Sequence, residues 1–305
     1  MNADRIRQTS LVFLLACGVL GLTAADARAD LSSSQARKAL TRIPGFELKS
    51  SAVRVKSVSA SSASEAEVAA EVKTVFKFEA DKQGRWRVAE IRSGQDRWEH
   101  VDLIATALKA SASNRNCDAP DPMIRGRAAS DPSVKRARCL LASLFGVELP
   151  SDAVRIQSVD SLIPFASQPS ATVVAWVRVD ARLLKDKSGW QVTELRTGNR
   201  NWTTLAPLTA ALNEEKQKQA RAELELIAGA LEKFRRERGS YVVSDNQGAA
   251  IDFLSPRYLA RVIRLDPWYQ PYKYQGERDH FTLRSTGPDG KDNTADDLQL
   301  TSSLR

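Results

Sequence analysis

The chain has 305 residues, and its composition is that of a globular protein. Hydrophobic residues make up 42% and charged residues 27%, which excludes a mainly disordered chain. The net charge is +8, but no basic segment is interleaved with aromatic residues as in nucleic-acid-binding modules, so we expect no nucleic-acid partner. The length allows two or three small domains, each with its own core.

Residues 1–29 have the pattern of an export signal. Two arginines precede an apolar run over residues 11–25, and an A-x-A cleavage site ends at Ala29. Cleavage removes one net positive charge, so the mature protein has a charge of +7 and begins at Asp30, in the periplasm or outside the cell. A basic protein in that compartment attracts anionic envelope surfaces.

Two other processing routes depend on Cys17 and Gly21. Residues 14–17 resemble a lipobox, whose cysteine would carry lipid and anchor the protein to a membrane. Prepilin-peptidase cleavage at Gly21 would have Asp26 at the right distance, but the apolar run lies before Gly21 and polar sequence follows it. No later window approaches the roughly 20 apolar residues of a membrane span. We therefore expect no transmembrane anchor after signal cleavage.

The body of the chain contains an internal repeat. Residues 47–58 return as residues 148–159, an offset of 101 positions, and Trp86 returns as Trp190, an offset of 104. The difference of three residues is predicted to lie in the connection before the tryptophan strand, at residues 181–189 of the second copy, because a hairpin tip tolerates insertion.

Each copy has the pattern of a helix, three antiparallel strands and a second helix. In the first copy, a helix at residues 35–43 leads to a strand at Val53, and alternating apolar residues over 68–78 predict a longer strand with one buried face. Residues 98–108 place apolar side chains on one helical stripe, and the second copy begins with a helix at 134–145. Each copy is similar in outline to cystatin-like folds.

The predicted fold class is α+β, with two repeated helix-plus-antiparallel-sheet modules before a third domain. The second module's last helix meets no helix breaker until Gly229, so we predict one helix from Thr204 to Arg238, about 50 Å long, as a rigid spacer. The expected divisions are a signal at 1–29, repeat 1 at 30–113, a linker at 114–132, repeat 2 at 133–213 and a C-terminal domain at 214–305.

Cys117 lies in the linker and Cys139 in the helix that follows it. Two thiols in an oxidising compartment favour a disulfide, and two free thiols are the alternative. A Glu-x-Arg pair recurs in both repeats, and we expect these side chains to form cross-strand ion pairs. The pairs are Glu90 with Arg92 and Glu194 with Arg196.

The sequence carries no catalytic constellation. His100 and His280 are isolated, and no serine lies in a Gly-x-Ser-x-Gly motif. The tryptophans of the repeats fit buried stripes better than exposed carbohydrate platforms. They are Trp86, Trp98, Trp190 and Trp202. We expect a protein without enzymatic activity.

The last quarter of the chain has the most specific signature. An amphipathic helix from about residue 222 ends at Gly239, Tyr241 follows, and an Asp-Pro-Trp motif begins at Asp266. A Gly-x-Asp-Gly loop comes last and holds four carboxylates within nine residues. Such carboxylates repel one another unless a cation lies among them, and their oxygen atoms suit calcium. The alternative is a solvated acidic turn without a metal.

In this order, the features resemble the C-terminal domain of the type II secretion major pseudopilin, the protein G family, over residues 222–298. Two positions depart from the family pattern. Val242 stands where proline is usual, and Tyr269 stands where glycine is usual. The resemblance implies a long N-terminal helix, a small antiparallel sheet and a calcium ion.

The resemblance also implies a set of calcium ligands. The family holds the ion with a backbone carbonyl three residues before the first aspartate, with that aspartate, and with acidic groups after the next turn. Here these positions are Thr286, Asp289, Asp296 and Asp297, with Asp292 or the Leu298 carbonyl as alternatives.

Two functional hypotheses follow. The first is an exported, non-enzymatic envelope protein with a role in interaction or assembly, linked to type II secretion and with components of that apparatus as partners. The second is a soluble periplasmic or extracellular module whose duplicated domains bind an anionic envelope ligand.

Overall fold

The computed structural model describes residues 31–110, 117, 132–146, 149–150, 152–161, 169–198 and 200–302. The predicted export signal, the lipobox cysteine Cys17 and most of the predicted linker lie outside these ranges. Within them, no helix combines the length and the apolar character needed to cross a membrane.

The described residues form five α-helices and eleven strands, which confirms the α+β class. The helices are α1 (Ser33–Leu40), α2 (Val101–Ala107), α3 (Val134–Ala142), α4 (Leu205–Arg238) and α5 (Gln247–Leu254). The strands are β1 (Val53–Ala60), β2 (Glu65–Ala80), β3 (Trp86–Arg92), β4 (Trp98–His100), β5 (Val154–Ser161), β6 (Ser170–Asp186), β7 (Gly189–Arg196), β8 (Thr203–Thr204), β9 (Lys273–Gly276), β10 (Phe281–Ser285) and β11 (Leu298–Thr301).

Pairing between β2 and β6 joins the two repeats into one eight-stranded sheet, in the order β4-β3-β2-β6-β7-β8. The two strands run antiparallel and are paired continuously from Glu65 opposite Leu184 to Glu79 opposite Ser170. Strand β1 pairs with the first half of β2, and β5 pairs with the first half of β6. Each long strand therefore lies between its equivalent in the other repeat and two shorter strands of its own.

A pseudo-twofold axis relates the two repeats and passes through the pair Val72 and Val177. Val53 pairs with Val72 in the first repeat, and its counterpart Val154 pairs with Val177 in the second. Val72 and Val177 are therefore equivalent positions, and they also lie opposite each other between β2 and β6. In an antiparallel pair of equivalent strands, such a self-pairing position marks the local twofold axis.

The strand bounds place the extra residues of the second repeat away from the predicted position. Residues 61–64 connect β1 to β2, whereas residues 162–169 connect β5 to β6, which adds four positions. The turn before the tryptophan strand is three residues shorter in the second repeat, residues 187–188 against residues 81–85. The predicted insertion at residues 181–189 was therefore wrong, because these residues mostly continue β6.

Each hydrophobic core of the large sheet contains residues from both repeats. One core combines α1 and the first half of β2 with Ala181, Leu183 and Leu205 of the second repeat. The other combines α3 and Val173 with Phe76 and Phe78 from the second half of β2. The expectation that each repeat has its own core was wrong, because one long strand contributes to both cores. The predicted domain boundaries themselves stay a prediction.

The helices of the repeats pack on one face of the sheet. Helix α1 contacts β1 and β7, and α3 contacts β5 and β3. Trp98, predicted to begin a helix, lies in the edge strand β4, and α2 begins at Val101. This misassignment has a simple reason: a residue just before a helix can occupy the same stripe as the helix itself.

The single helix predicted from Thr204 to Arg238 is present as α4, Leu205–Arg238, with Thr204 as its N-cap. Its first turns pack on α2 and β7, and its last turns pack on β10 and β11. The helix is therefore integrated into both regions, and the predicted role of a spacer between them was wrong. Gly239 ends it in the left-handed conformation with φ 81°, as the sequence predicts.

The C-terminal domain packs the second half of α4 and α5 against the three-stranded sheet β11-β10-β9. The apolar stripe of α4, with Leu224, Ile227 and Leu231 fully buried, faces Tyr272 and Phe281 in one core. The predicted pseudopilin-like arrangement of a long helix and a small antiparallel sheet is thus observed.

Cys117 and Cys139 form a disulfide, with 5.8 Å between their Cα atoms. The bond fixes residue 117 against α3, where the Arg136 guanidinium also donates to the Cys117 carbonyl. The predicted disulfide is present.

The shared cores give a test with fragments. A fragment of residues 31–113 is expected to remain unfolded alone, because part of each core belongs to the second repeat: Ala181, Leu183 and Leu205 in one core, and α3 with β6 in the other. Mixing it with residues 114–213 is expected to restore β-structure, measured by far-UV circular dichroism and urea titration. A cooperative unfolding transition in the first fragment alone would contradict the shared cores.

Candidate functional site

The predicted acidic loop connects β10 to β11, and its two halves lie in close contact. Thr286 at its start is buried, with 3% of its surface exposed. Gly287 has φ 62°, and a Cβ atom there would lie 2.5 Å from the Asp296 carbonyl oxygen and 2.8 Å from Asp296 Oδ2. Glycine is required at this position both by the backbone angle and by the close approach of Asp296.

Three of the predicted carboxylates surround the Thr294 hydroxyl. Thr294 Oγ1 lies 2.7 Å from Asp296 Oδ1, 3.1 Å from Asp297 Oδ1 and 3.3 Å from Asp289 Oδ1. The bond from Thr294 holds the pKa of Asp296 below its ordinary value. A hydroxyl has one proton and can donate to only one of these oxygens at a time. Thr294 is neutral and therefore does not balance the negative charge of the three carboxylates, and Arg284, 3.7 Å from Asp297, offsets only part of it.

Asp292, the fourth aspartate, points to basic side chains of the adjacent sheet. It pairs with Lys273 on β9 and with Arg284 on β10, where the distance is 2.8 Å. The hydrogen bond from Lys273 lowers the pKa of Asp292. The structure therefore brings together Asp289, Asp296 and Asp297 and turns Asp292 towards Lys273 and Arg284, and Arg284 Nη1 also lies 3.7 Å from Asp297 Oδ2.

The donor chemistry of the loop fits calcium, a hard cation that takes six to eight oxygen ligands. Its side chains offer carboxylate oxygens, and Thr286 offers a backbone carbonyl. The three carboxylates do not lie within 4.8 Å of one another as a set. In the described ranges, the one set of acidic and histidine side chains that does is Glu277, Asp279 and His280, all exposed at the β9–β10 turn. His280, expected to be isolated, thus lies beside two carboxylates, and the close spacing of the three residues in the sequence is the signal for this grouping.

Asp266 connects the acidic loop to the Asp-Pro-Trp turn. Ser285, the residue before Thr286, donates from Oγ to Asp266 Oδ2 at 2.5 Å. The other carboxylate oxygen accepts from the backbone N–H groups of Trp268 and Gln270, at 3.0 and 2.9 Å. Burial raises the pKa of Asp266. The Asp-Pro-Trp motif is therefore a structural turn, and Asp266 in it supports the start of the acidic loop.

Tyr269, one of the two departures noted in the sequence, reaches from this turn to the large sheet. The Trp98 N–H donates to the Tyr269 hydroxyl at 2.5 Å, and that hydroxyl donates to the Trp98 carbonyl. Tyr269 has φ 68°, a conformation that favours glycine and costs a tyrosine about 1 kcal/mol or more. The phenol forms hydrogen bonds with both the N–H and the carbonyl of Trp98 in the edge strand β4. A glycine at position 269 could not form these bonds.

A buried ion pair lies beside this contact. Lys216 of α4 and Glu99 of β4 are 2.8 Å apart, with side chains only 8% and 7% exposed. Glu223, about two turns further along α4, accepts from the Tyr272 hydroxyl at 2.8 Å and pairs with Arg261 at 3.0 Å. The Lys216–Glu99 pair joins α4 to the first repeat, whereas the contacts of Glu223 hold α4 against the rest of the C-terminal domain.

The Glu-x-Arg pairs of the repeats form cross-strand contacts, as predicted, in most but not all cases. Glu194 pairs with Arg182 at 3.0 Å, and Arg196 pairs with Asp180 at 2.9 Å. Glu90 pairs with Lys77 at 3.3 Å, whereas Arg92 donates to backbone carbonyls.

Two of the four tryptophans follow the core-packing prediction, whereas Trp98, in the edge strand β4, and Trp202 lie outside both cores of the large sheet. Trp86 is 3% exposed in a core, and Trp190 packs against the other core. Trp202 lies instead against Arg182 and Arg196, whose guanidinium carbons are 4.1 and 4.4 Å from its ring centre.

The geometry of the C-terminal domain agrees with a comparison against known families. Residues 208–303 match the family model of type II secretion system (T2SS), protein G. The C-terminal region carries a protein G-like domain. This match confirms the resemblance predicted for residues 222–298 and extends it towards the start of α4. No curated protein and no solved structure matches the chain. Protein G is a structural component of the secretion system, so the match supports a pseudopilin-like role related to secretion in the cell envelope.

The Tyr269 contact can be tested by amide hydrogen exchange. In Tyr269→Phe and Tyr269→Gly, the Trp98 amide is expected to exchange about fivefold faster, because it loses a hydrogen bond of roughly 1 kcal/mol. Glycine also removes the left-handed strain, so the glycine variant is expected to be the more stable of the two. Tyr258→Phe is the matched control, since the Tyr258 hydroxyl contacts only exposed Glu237. Unchanged Trp98 exchange in both Tyr269 variants would show that the contact contributes nothing.

Proposed function

We propose that the chain is an exported, non-enzymatic envelope protein whose protein G-like domain acts in interaction or assembly with components of type II secretion. The observation that carries the proposal is the family match over residues 208–303, together with the observed long helix and small sheet. Export through the predicted signal would place the protein in the periplasm or outside the cell, and lipid attached at Cys17 is the alternative.

The packing of α4 indicates that a partner would bind the surface of the protein G-like domain rather than α4 alone. Its first turns contact α2 and β7, and Lys216 is buried against Glu99. This half of the helix is therefore already occupied by the repeats. The exposed apolar side chains of the protein G-like domain, including Val243 at 65% and Phe253 at 63% exposure, remain available to a partner.

We further propose that calcium stabilises the acidic loop. Asp289, Asp296 and Asp297 would hold the ion with the Thr286 carbonyl, and Asp292 would remain with Lys273 and Arg284. The ion would supply positive charge to balance the carboxylates that Thr294 leaves unmatched. Its role is structural, since it joins the two ends of the loop between β10 and β11.

Thermal unfolding tests the calcium proposal. Chelation is expected to lower the melting temperature, because an ion present at about 100 times its dissociation constant stabilises by roughly 2.7 kcal/mol. Asp289→Ala is expected to abolish the effect of the chelator, whereas Asp245→Ala, an exposed aspartate outside the loop, is expected to retain it. Restoring the melting temperature should require calcium rather than magnesium. A melting temperature that does not respond to chelation would refute the proposal.

Site-specific photo-crosslinking in the native cell tests the secretion role. A crosslinker placed at Val243 or Phe253 is expected to capture a type II secretion component. Leu184, an exposed apolar residue of the large sheet at 43% exposure, is the matched control position. Recovery of no secretion component from either test position would count against the role in secretion, without bearing on the calcium site.

A further inference from the structure

The face of the eight-stranded sheet opposite the helices carries charged side chains along its length. Along β2 and β6, residues that face outward alternate with the core residues that contact the helices. The charged and aromatic outward residues near the middle and ends are Glu67, Glu71, Lys73, Lys77 and Glu79 of β2, and Trp176, Arg178, Asp180 and Arg182 of β6.

At both ends of this face, each cation is matched by carboxylates. Arg182 lies 2.9 Å from Glu67 and 3.0 Å from Glu194. At the other end, Lys77 lies 3.3 Å from both Glu79 and Glu90. The ends are therefore close to neutral and need no external anion.

The centre of the face differs, because three cations gather around Trp176. The Arg54 guanidinium carbon is 3.9 Å from the centre of the indole ring, the Lys73 ammonium 5.6 Å and the Arg155 guanidinium carbon 5.7 Å. An aromatic face attracts cations through its quadrupole and does not cancel their charge. Trp176, only 6% exposed, thus gathers these side chains and leaves them positive.

Carboxylates do not neutralise this cluster. Glu71 is shared between Lys56 at 3.2 Å and Arg155 at 3.7 Å. No carboxylate of the described residues lies within 4.0 Å of the charged groups of Arg54 or Lys73. We name Arg54, Lys73 and Arg155 the cationic centre. It lies beside the pseudo-twofold axis, and its first and last members are equivalent residues of the two repeats.

We propose that the cationic centre binds the phosphate groups of an anionic lipid surface. The three side chains come from β1, β2 and β5 and converge on Trp176 of β6, with their charged groups within 5.7 Å of the ring centre. Arg54 and Arg155 are exposed on the outer face of the sheet, where the headgroups of a membrane surface can approach them. Guanidinium groups match phosphate oxygens in pairs, and each cation near an anionic membrane contributes roughly equally to binding.

The same residues argue against a protein or a sugar as the occupant. Protein interfaces depend on aromatic or apolar anchors that become buried on binding, but Trp176 is already covered by its own cations. For the same reason it offers no free ring for stacking against a sugar. The inference goes beyond the proposed secretion role and depends on neither the partner of the protein G-like domain nor calcium.

Vesicle flotation with the full chain tests the proposal. Binding to vesicles containing phosphatidylglycerol is compared with binding to phosphatidylcholine alone, which gives the baseline for the apolar N-terminal segment. The triple variant Arg54→Gln, Lys73→Gln, Arg155→Gln is expected to lose at least about tenfold of the charge-dependent binding. The matched control is Arg37→Gln, Lys38→Gln, Arg42→Gln, which removes the same charge from the exposed surface at α1 on the opposite side of the sheet. Circular dichroism checks that both variants fold.

The proposal predicts that binding falls steeply between low and physiological salt, and that millimolar inorganic phosphate does not displace the protein from vesicles. Equal loss in the two triple variants would show that only net charge matters and would overturn the assigned site. Displacement by free phosphate would overturn the lipid surface in favour of a small ion. Binding to polyglutamate without binding to vesicles would likewise overturn it, in favour of an acidic protein segment.

Discussion

The antiparallel pairing of β2 with β6 is the constraint on which the rest of the structure depends. A strand of 16 residues is longer than one small core requires, so each long strand extends past its own helix. The excess length of β2 lies beneath α3 of the second repeat, and the excess length of β6 lies beneath α1 of the first. Without this pairing, both halves would expose apolar side chains to water.

The sequence predicted the elements well but not their assembly. Alternation over residues 68–78 shows that one face of β2 is buried, and the absence of a breaker before Gly229 shows that α4 is continuous. Period-two alternation does not reveal which strand lies alongside. The sharing of cores was therefore hidden, although each local element was visible. The offset of the repeat was measured correctly, but its source was assigned to the wrong connection because the pairing register was unknown.

The candidate site shows the same division between local and distant information. Clustered aspartates are visible in a linear sequence, and the acidic loop was found that way. That Asp292 turns to Lys273 and Arg284 depends on the neighbouring strands and could not be read from the loop itself. Tyr269 stood out as a departure from a family pattern. Its partner, the backbone of Trp98, lies 171 positions away and carries no side-chain signal in the sequence.

The continuous pairing of β2 with β6 also orders the events of folding. Val68 on β2 completes its packing only when Ala181 and Leu183 of β6 are present. Contacts that span more than a hundred positions close slowly, because a long loop must be ordered before they form. When the chain is synthesised or translocated with its N-terminus first, the apolar side chains of α1 and β1 therefore stay exposed to water until β6 has followed. A chaperone that protects the nascent or translocating chain from aggregation therefore has to bind the first repeat until β6 is available.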